Sequence, residues 1–107
     1  MRYVVDIDGT ICIPGCTEET RYTEASPIQK RIDKINDLYD RGNYIVYLTA
    51  RGMGRFKNSR MLAHQEFYDF TYNQLKEWGC KFHELHMGKP AGDYYIDDKG
   101  ISDGLFF

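Results

Sequence analysis

Tyr44-Ile45-Val46-Tyr47-Leu48 is an apolar run with no polar interruption, ended by Thr49. A strand that is wet on one face alternates apolar and polar residues. A strand without alternation reads as covered on both faces, the situation of a buried strand in a parallel sheet. Parallel neighbours need long crossovers, and the flanking sequence supplies helical ones. Before the run, Ser26-Pro27-Ile28-Gln29 places a capping serine, a proline at the first helical position and a glutamine at the third, followed by Ile28, Ile32, Ile35 and Leu38 at helical spacing and by Gly42. After it, the spacing predicts a helix over about 61 to 78, with Phe67, Phe70, Thr71, Leu75 and Trp78 on one face and Gly79 closing it. Residues 2 to 5, Lys81-Phe82-His83-Glu84-Leu85 and Tyr94-Tyr95-Ile96 read as further strands. The order strand, helix, strand, helix, strand, strand predicts an α/β fold built as three layers, a parallel sheet with helices on both faces or nearly so.

The 107 residues and 42% hydrophobic content suit one domain, residues 1–107, without mass for a second lobe over a binding site. Fourteen Lys and Arg against 16 Asp and Glu leave a net charge of −2, so no nucleic-acid partner is expected, since nonspecific binding needs a basic face. No apolar run approaches a membrane span, and the first residues meet Asp6 too early for a signal peptide. A cytoplasmic protein with no membrane partner is expected, with Cys12, Cys16 and Cys80 as reduced thiols.

Four polar clusters fall at or near the ends of the predicted strands: Asp6-Ile7-Asp8-Gly9-Thr10, Thr49-Ala50-Arg51, Gly88-Lys89-Pro90 and Asp97-Asp98. A parallel sheet brings such ends together. Asp6, Asp97 and Asp98 cannot share a crevice as bare anions, and the all-oxygen donor set favours Mg²⁺ as their counter-ion. A carboxylate beside a lysine, a threonine hydroxyl and the free amides of the Gly9-Thr10 turn makes a cradle for a phosphoryl group. In that reading Asp6 attacks phosphorus, and Asp8 protonates the leaving alkoxide and then deprotonates water. Thr49, with Ala50 and Arg51 beside it, holds the phosphoryl oxygens, and Lys89 neutralises charge.

These motifs, in this order, resemble the haloacid dehalogenase superfamily, whose DxDx(T/V) loop, Ser or Thr, Lys and terminal acidic pair correspond to Asp6 to Thr10, Thr49, Lys89 and Asp97-Asp98. The resemblance spans nearly the whole chain. It implies a Rossmann-like core and Mg²⁺ held by the carboxylates of Asp6 and Asp97 and the backbone carbonyl of Asp8, with Asp98 a direct or water-mediated partner. An Asp at the second acidic position is similar to the family's phosphatases. The intervals between motifs leave no room for a cap domain, and the Leu-Thr-Ala-Arg and Tyr-Tyr-Ile-Asp-Asp-Lys phrases look most like small capless phosphatases of capsule and surface-polysaccharide synthesis. The resemblance therefore implies a phosphoric monoester hydrolase acting on a small phosphorylated metabolite, a sugar or polyol phosphate, through an aspartyl-phosphate.

Other readings stay open on the sequence alone. An open site also admits a phosphoprotein or polynucleotide, and a non-catalytic phospho-acceptor module uses similar groups, although receiver modules place the acidic pair first and the acceptor later. Arg51, Arg55 and Lys57 either hold the rest of an anionic substrate or belong to a mobile surface loop. Residues 11 to 25 and 51 to 60 carry the specificity of a capless site. A neighbouring subunit could complete its pocket, so a homo-oligomer is expected.

Overall fold

A computed structural model describes residues 1–107. Strand β1 (Arg2–Val5) leads to β2 (Cys12–Ile13), β3 (Ser26–Pro27), helix α1 (Gln29–Asp40), β4 (Tyr44–Thr49), helix α2 (Arg60–Glu77), β5 (Glu84–Met87) and a short α3 (Asp103–Phe106). The chain is a small α/β protein whose main sheet has the order β1-β4-β5, all parallel. The apolar run at Tyr44 is the central strand, as its lack of alternation implies. β2 and β3 form a separate antiparallel pair.

Both long helices end as their glycines predict. Gly42, at φ 93°, lets Asn43 N donate to Leu38 O at 3.1 Å and its own N to Tyr39 O at 3.0 Å. Gly79, at φ 76°, closes α2 in the same way, with Cys80 N donating to Leu75 O at 3.0 Å. The start of α1 departs from expectation. Ser26 and Pro27 pair with Ile13 and Cys12, and Ile28 is the N-cap, its N donating to Ile11 O at 2.8 Å. The local capping signal loses to a tertiary ladder that also pins the irregular segment after β1.

One face of the main sheet carries both long helices. Val5, Ile45, Tyr47 and Leu85 point to the same side by register, and they share one buried cluster with Ile32 and Ile35 of α1 and Leu75 of α2. On the opposite side Val4 is 57% exposed and Arg2 and Tyr44 reach Glu84, while Val46 of the central strand is 3% exposed. Of the expected three layers, these elements form the sheet and the helices of this face. Each crossover moves one strand further in the same direction, and crossovers of one hand then put both helices on one side.

The strand expected at Tyr94-Tyr95-Ile96 does not form. The segment is irregular, with Ile96 96% exposed. Tyr95, 53% exposed, bonds to its own turn instead: its hydroxyl donates to Pro90 O at 2.7 Å and accepts from Gly92 N at 3.2 Å. The strand expected at 81–85 forms three residues later, at Glu84–Met87.

Candidate functional site

The C-terminal ends of β1 and β4 and the turn after β5 open onto a cavity of about 450 Å³, lined among others by Asp6, Asp8, Thr49, Ala50, Arg51 and Lys89. Three of the four sequence clusters therefore meet at one sheet edge, as parallel strands require. Lys89 is brought there by the chain itself. Gly88 turns at φ 93° and Lys89 N donates to Thr49 O at 3.1 Å, extending the β4–β5 pairing by one bond.

Asp6 stands directly after β1 with its two oxygens differently occupied. Lys89 Nζ lies 3.4 Å from Oδ1, and Thr10 Oγ1 donates to Oδ2 at 3.1 Å. A cation on one side and a hydroxyl on the other fix the rotamer of a carboxylate that still faces the cavity. Thr49 is almost fully buried; its Oγ1 accepts from Arg51 N at 3.1 Å, which leaves its own O–H free to donate toward the cavity.

Asp8 and Arg51 form a two-point pair. Arg51 Nε donates to Asp8 Oδ2 and Nη2 to Oδ1, each at 3.0 Å, with the Arg51 side chain 0% exposed and that of Asp8 18%. The guanidinium also donates to Thr71 Oγ1 at 3.3 Å and lies 4.9 Å from the Tyr22 ring centroid. Arg51 is thus neither a free substrate-binding group nor part of a mobile loop; Gly52 and Met53 beside it are buried as well. It is the inner partner of Asp8. The Cys12 thiol, buried beside Asp8 and donating to its Oδ1 at 3.5 Å, is pushed up to about 12, first by burial and then by the Asp8 charge. A thiol held protonated in this way is unreactive.

Two further expectations are corrected. The amides of Gly9 and Thr10 are not free for an anion: Gly9 N donates to Cys12 O at 2.9 Å and Thr10 N to Ile7 O at 3.0 Å, in a tight turn that Gly9 enters at φ 80°. Thr10 acts on Asp6 through its hydroxyl instead. The acidic pair is outside the cavity lining, because the strand meant to deliver it does not form. Asp97 Oδ1 accepts from Lys99 N at 2.6 Å and Gly100 N at 2.5 Å, and both residues of the pair are exposed.

Mg²⁺ would need oxygen ligands converging on one point. Here Asp6 faces the cavity, whereas Asp97 is held by its own turn outside the cavity lining. No group of three or more His, Cys, Asp or Glu side chains is arranged to hold a metal ion. With Asp97 and Asp98 outside the cavity that Asp6 faces, the four residues do not converge on one point in this arrangement.

Sequence reasoning did not single out Glu18, Arg21, Tyr22 or Tyr95, all of which line the cavity. Glu18, Arg21 and Tyr22 had position as their only signal, in the irregular segment after a strand, and Tyr95 was expected in a strand; local sequence does not say which side chains line a cavity. Lys89 Nζ sits 4.3 Å from the Tyr95 ring centroid, so the ring of Tyr95 flanks the lysine that faces Asp6.

No model of a known protein family matches the chain, and no curated protein matches it. Among solved structures it is similar to a crystal structure of a target protein from Vibrio cholerae, at TM-score 0.87 and 23% identity over 98% of this chain and 85% of that one. That likeness shows the fold. No helix is long and apolar enough to cross a membrane.

Proposed function

We propose that this chain is a phosphomonoester hydrolase of a small phosphorylated metabolite, with the wider resemblance to capless haloacid dehalogenase-type phosphatases as its family setting. The observation that carries the reading is Asp6: an oriented carboxylate at the mouth of a 450 Å³ cavity, with Lys89 Nζ 3.4 Å from one oxygen and the Thr49 hydroxyl on the same cavity wall. A carboxylate oxygen of Asp6 attacks phosphorus as the ester P–O bond breaks, the leaving alkoxide takes a proton from Asp8 and departs as the alcohol, and Lys89 and Thr49 offset charge on the phosphoryl oxygens. Water then attacks the aspartyl-phosphate, loses its proton to Asp8 and releases inorganic phosphate, restoring Asp6. Each Asp8 oxygen keeps a lone pair beyond its bond to Arg51, so the pair orients the carboxylate without exhausting it.

A second reading, a phospho-acceptor module that keeps its phosphoryl group, is favoured by the same pair, since both Asp8 oxygens are engaged before any substrate arrives. One experiment separates the two. Phosphate release is followed from a panel of sugar, polyol, amino-alcohol and nucleotide monophosphates, with Mg²⁺ and with EDTA, and Asp6→Asn as the blank. Turnover that vanishes in Asp6→Asn is expected. Stoichiometric labelling without turnover selects the acceptor module, and activity retained in Asp6→Asn refutes both. Release that requires Mg²⁺ would mean that residues 97–98 rearrange to join Asp6.

A further inference from the structure

The charged residues of the cavity do not all pair off. Asp8 is taken by Arg51 and Asp6 faces Lys89, which leaves Glu18, Arg21 and Arg55 on the same walls. Neither Arg21 nor Arg55 belongs to any ion pair in the chain, so Glu18 does not neutralise them by contact. Beyond the two pairs, the cavity carries two cations against one anion.

These arginines are also braced. Arg21 Cζ lies 5.6 Å from the Tyr22 ring centroid and Arg55 Cζ 5.2 Å from that of Phe67. The two rings meet edge to face, 5.1 Å apart at 79°. Tyr22 is tied at both ends: its carbonyl accepts from Gln74 Nε2 at 2.7 Å and its hydroxyl from Gly52 N at 3.2 Å. One aromatic bracket thus flanks two exposed guanidinium groups that come from different loops. Stacking leaves the N–H edges of a guanidinium free, and a braced side chain loses less entropy when it binds.

At about 30 Å³ per water, the cavity has roughly fifteen water volumes, several times what a phosphoryl group at Asp6 needs. We infer that Arg21 and Arg55 form a second anion subsite, so that the substrate is a phosphomonoester bearing a further anionic group, a carboxylate or a second phosphate, on its leaving-group side. The inference rests on the phosphatase reading for the word substrate; the subsite itself rests on the bracket.

The test uses substrates matched except for the second anion: glycerol phosphate against phosphoglycerate, and a hexose monophosphate against the hexose bisphosphate. Binding is measured by calorimetry on the Asp6→Asn protein and phosphate release on the wild type. The second anion is expected to lower Kd and KM by about tenfold or more, with kcat little changed, as for one charge-assisted contact. That advantage should shrink to about twofold in Arg21→Gln and Arg55→Gln and largely survive in Arg55→Lys. The better of the two partners names the second anion. Equal affinity within each pair, no binding of any member, or an advantage untouched by both glutamine variants overturns the subsite while leaving the phosphatase reading where the release assay puts it. An advantage that depends on the arginines, without phosphate release, keeps the subsite and removes the phosphatase reading.

Discussion

Replacing Asp8 by Asn should destabilise the protein far more than replacing an ordinary cavity-lining acid. The reason is Arg51, whose side chain is 0% exposed. With Asn at position 8, a guanidinium with no access to water loses its counter-charge and one of two acceptors, keeping one amide oxygen, the Thr71 hydroxyl at 3.3 Å and the faces of Tyr22 and Phe70, at 4.9 and 6.0 Å. Breaking a buried pair from one side costs about 3–5 kcal/mol. Because Asp8 is 18% exposed and water already screens its outer side, the lower end, about 3 kcal/mol, applies. Arg51→Met retains most of the packing and leaves a carboxylate that water can reach, so about 2 kcal/mol is expected. The double variant has neither charge and should lose about 2 kcal/mol, well short of the sum, a coupling of about 3 kcal/mol. Urea unfolding followed by circular dichroism gives all three values. At roughly 4–8 °C per kcal/mol for a domain near this size, Asp8→Asn should melt about 10–25 °C lower. Additive losses in the double variant, or an Asp8→Asn cost below about 1 kcal/mol, would refute the buried-pair argument.

Gly52 has φ 79°, and a Cβ there would stand 2.7 Å from Phe67 Cδ2 and 3.2 Å from Ala63 Cβ. Gly52→Ala should cost about 2 kcal/mol from left-handed strain and displaced packing. Because Phe67 carries Arg55, the same variant should weaken the preference for a second anion; unchanged stability by urea titration would contradict the contact. At the exposed sheet face, Glu84 accepts from Tyr44 Oη and His86 Nε2, each at 2.6 Å, which lowers its carboxyl from the ordinary 4.5 to about 2, with Tyr44 the larger cause. A depressed carboxyl favours the folded state above its unfolded value, so this contribution is lost as pH falls from 4.5 to about 2. Glu84→Gln should flatten that part of the stability profile, and parallel wild-type and variant profiles across it would remove the assignment.

Much of the fold was legible because it rests on local or one-dimensional signals. The unbroken run at Tyr44, the periodicity of Ile32 and Ile35, and the glycines at 42 and 79 each act through their own backbone or an adjacent turn. The meeting of Asp6, Thr49 and Lys89 was legible too, since parallel strands put such ends side by side. Pairing preferences were not. Ser26 and Pro27 carry a sound helix-start signal, yet they join Cys12 and Ile13, because a ladder with a distant segment satisfies backbone groups that capping alone would leave to water. Tyr94-Tyr95-Ile96 has strand-forming residues but no neighbour in the sheet, and Tyr95 bonds to its own turn.

By itself, the sequence determined an α/β chain with a parallel sheet and a polar edge bearing an acid, a hydroxyl and a lysine, because side-chain period and strand direction are properties of the chain read in order. Only the tertiary structure decided what each polar group does there. Arg51 is an inward partner of Asp8, Gly9 and Thr10 spend their amides on their own turn, the acidic pair stays outside, and Arg21 and Arg55 enter through an aromatic bracket. Hydrogen bonds and ion pairs act over about 3 Å, and residues dozens apart in sequence come that close only when the chain has folded.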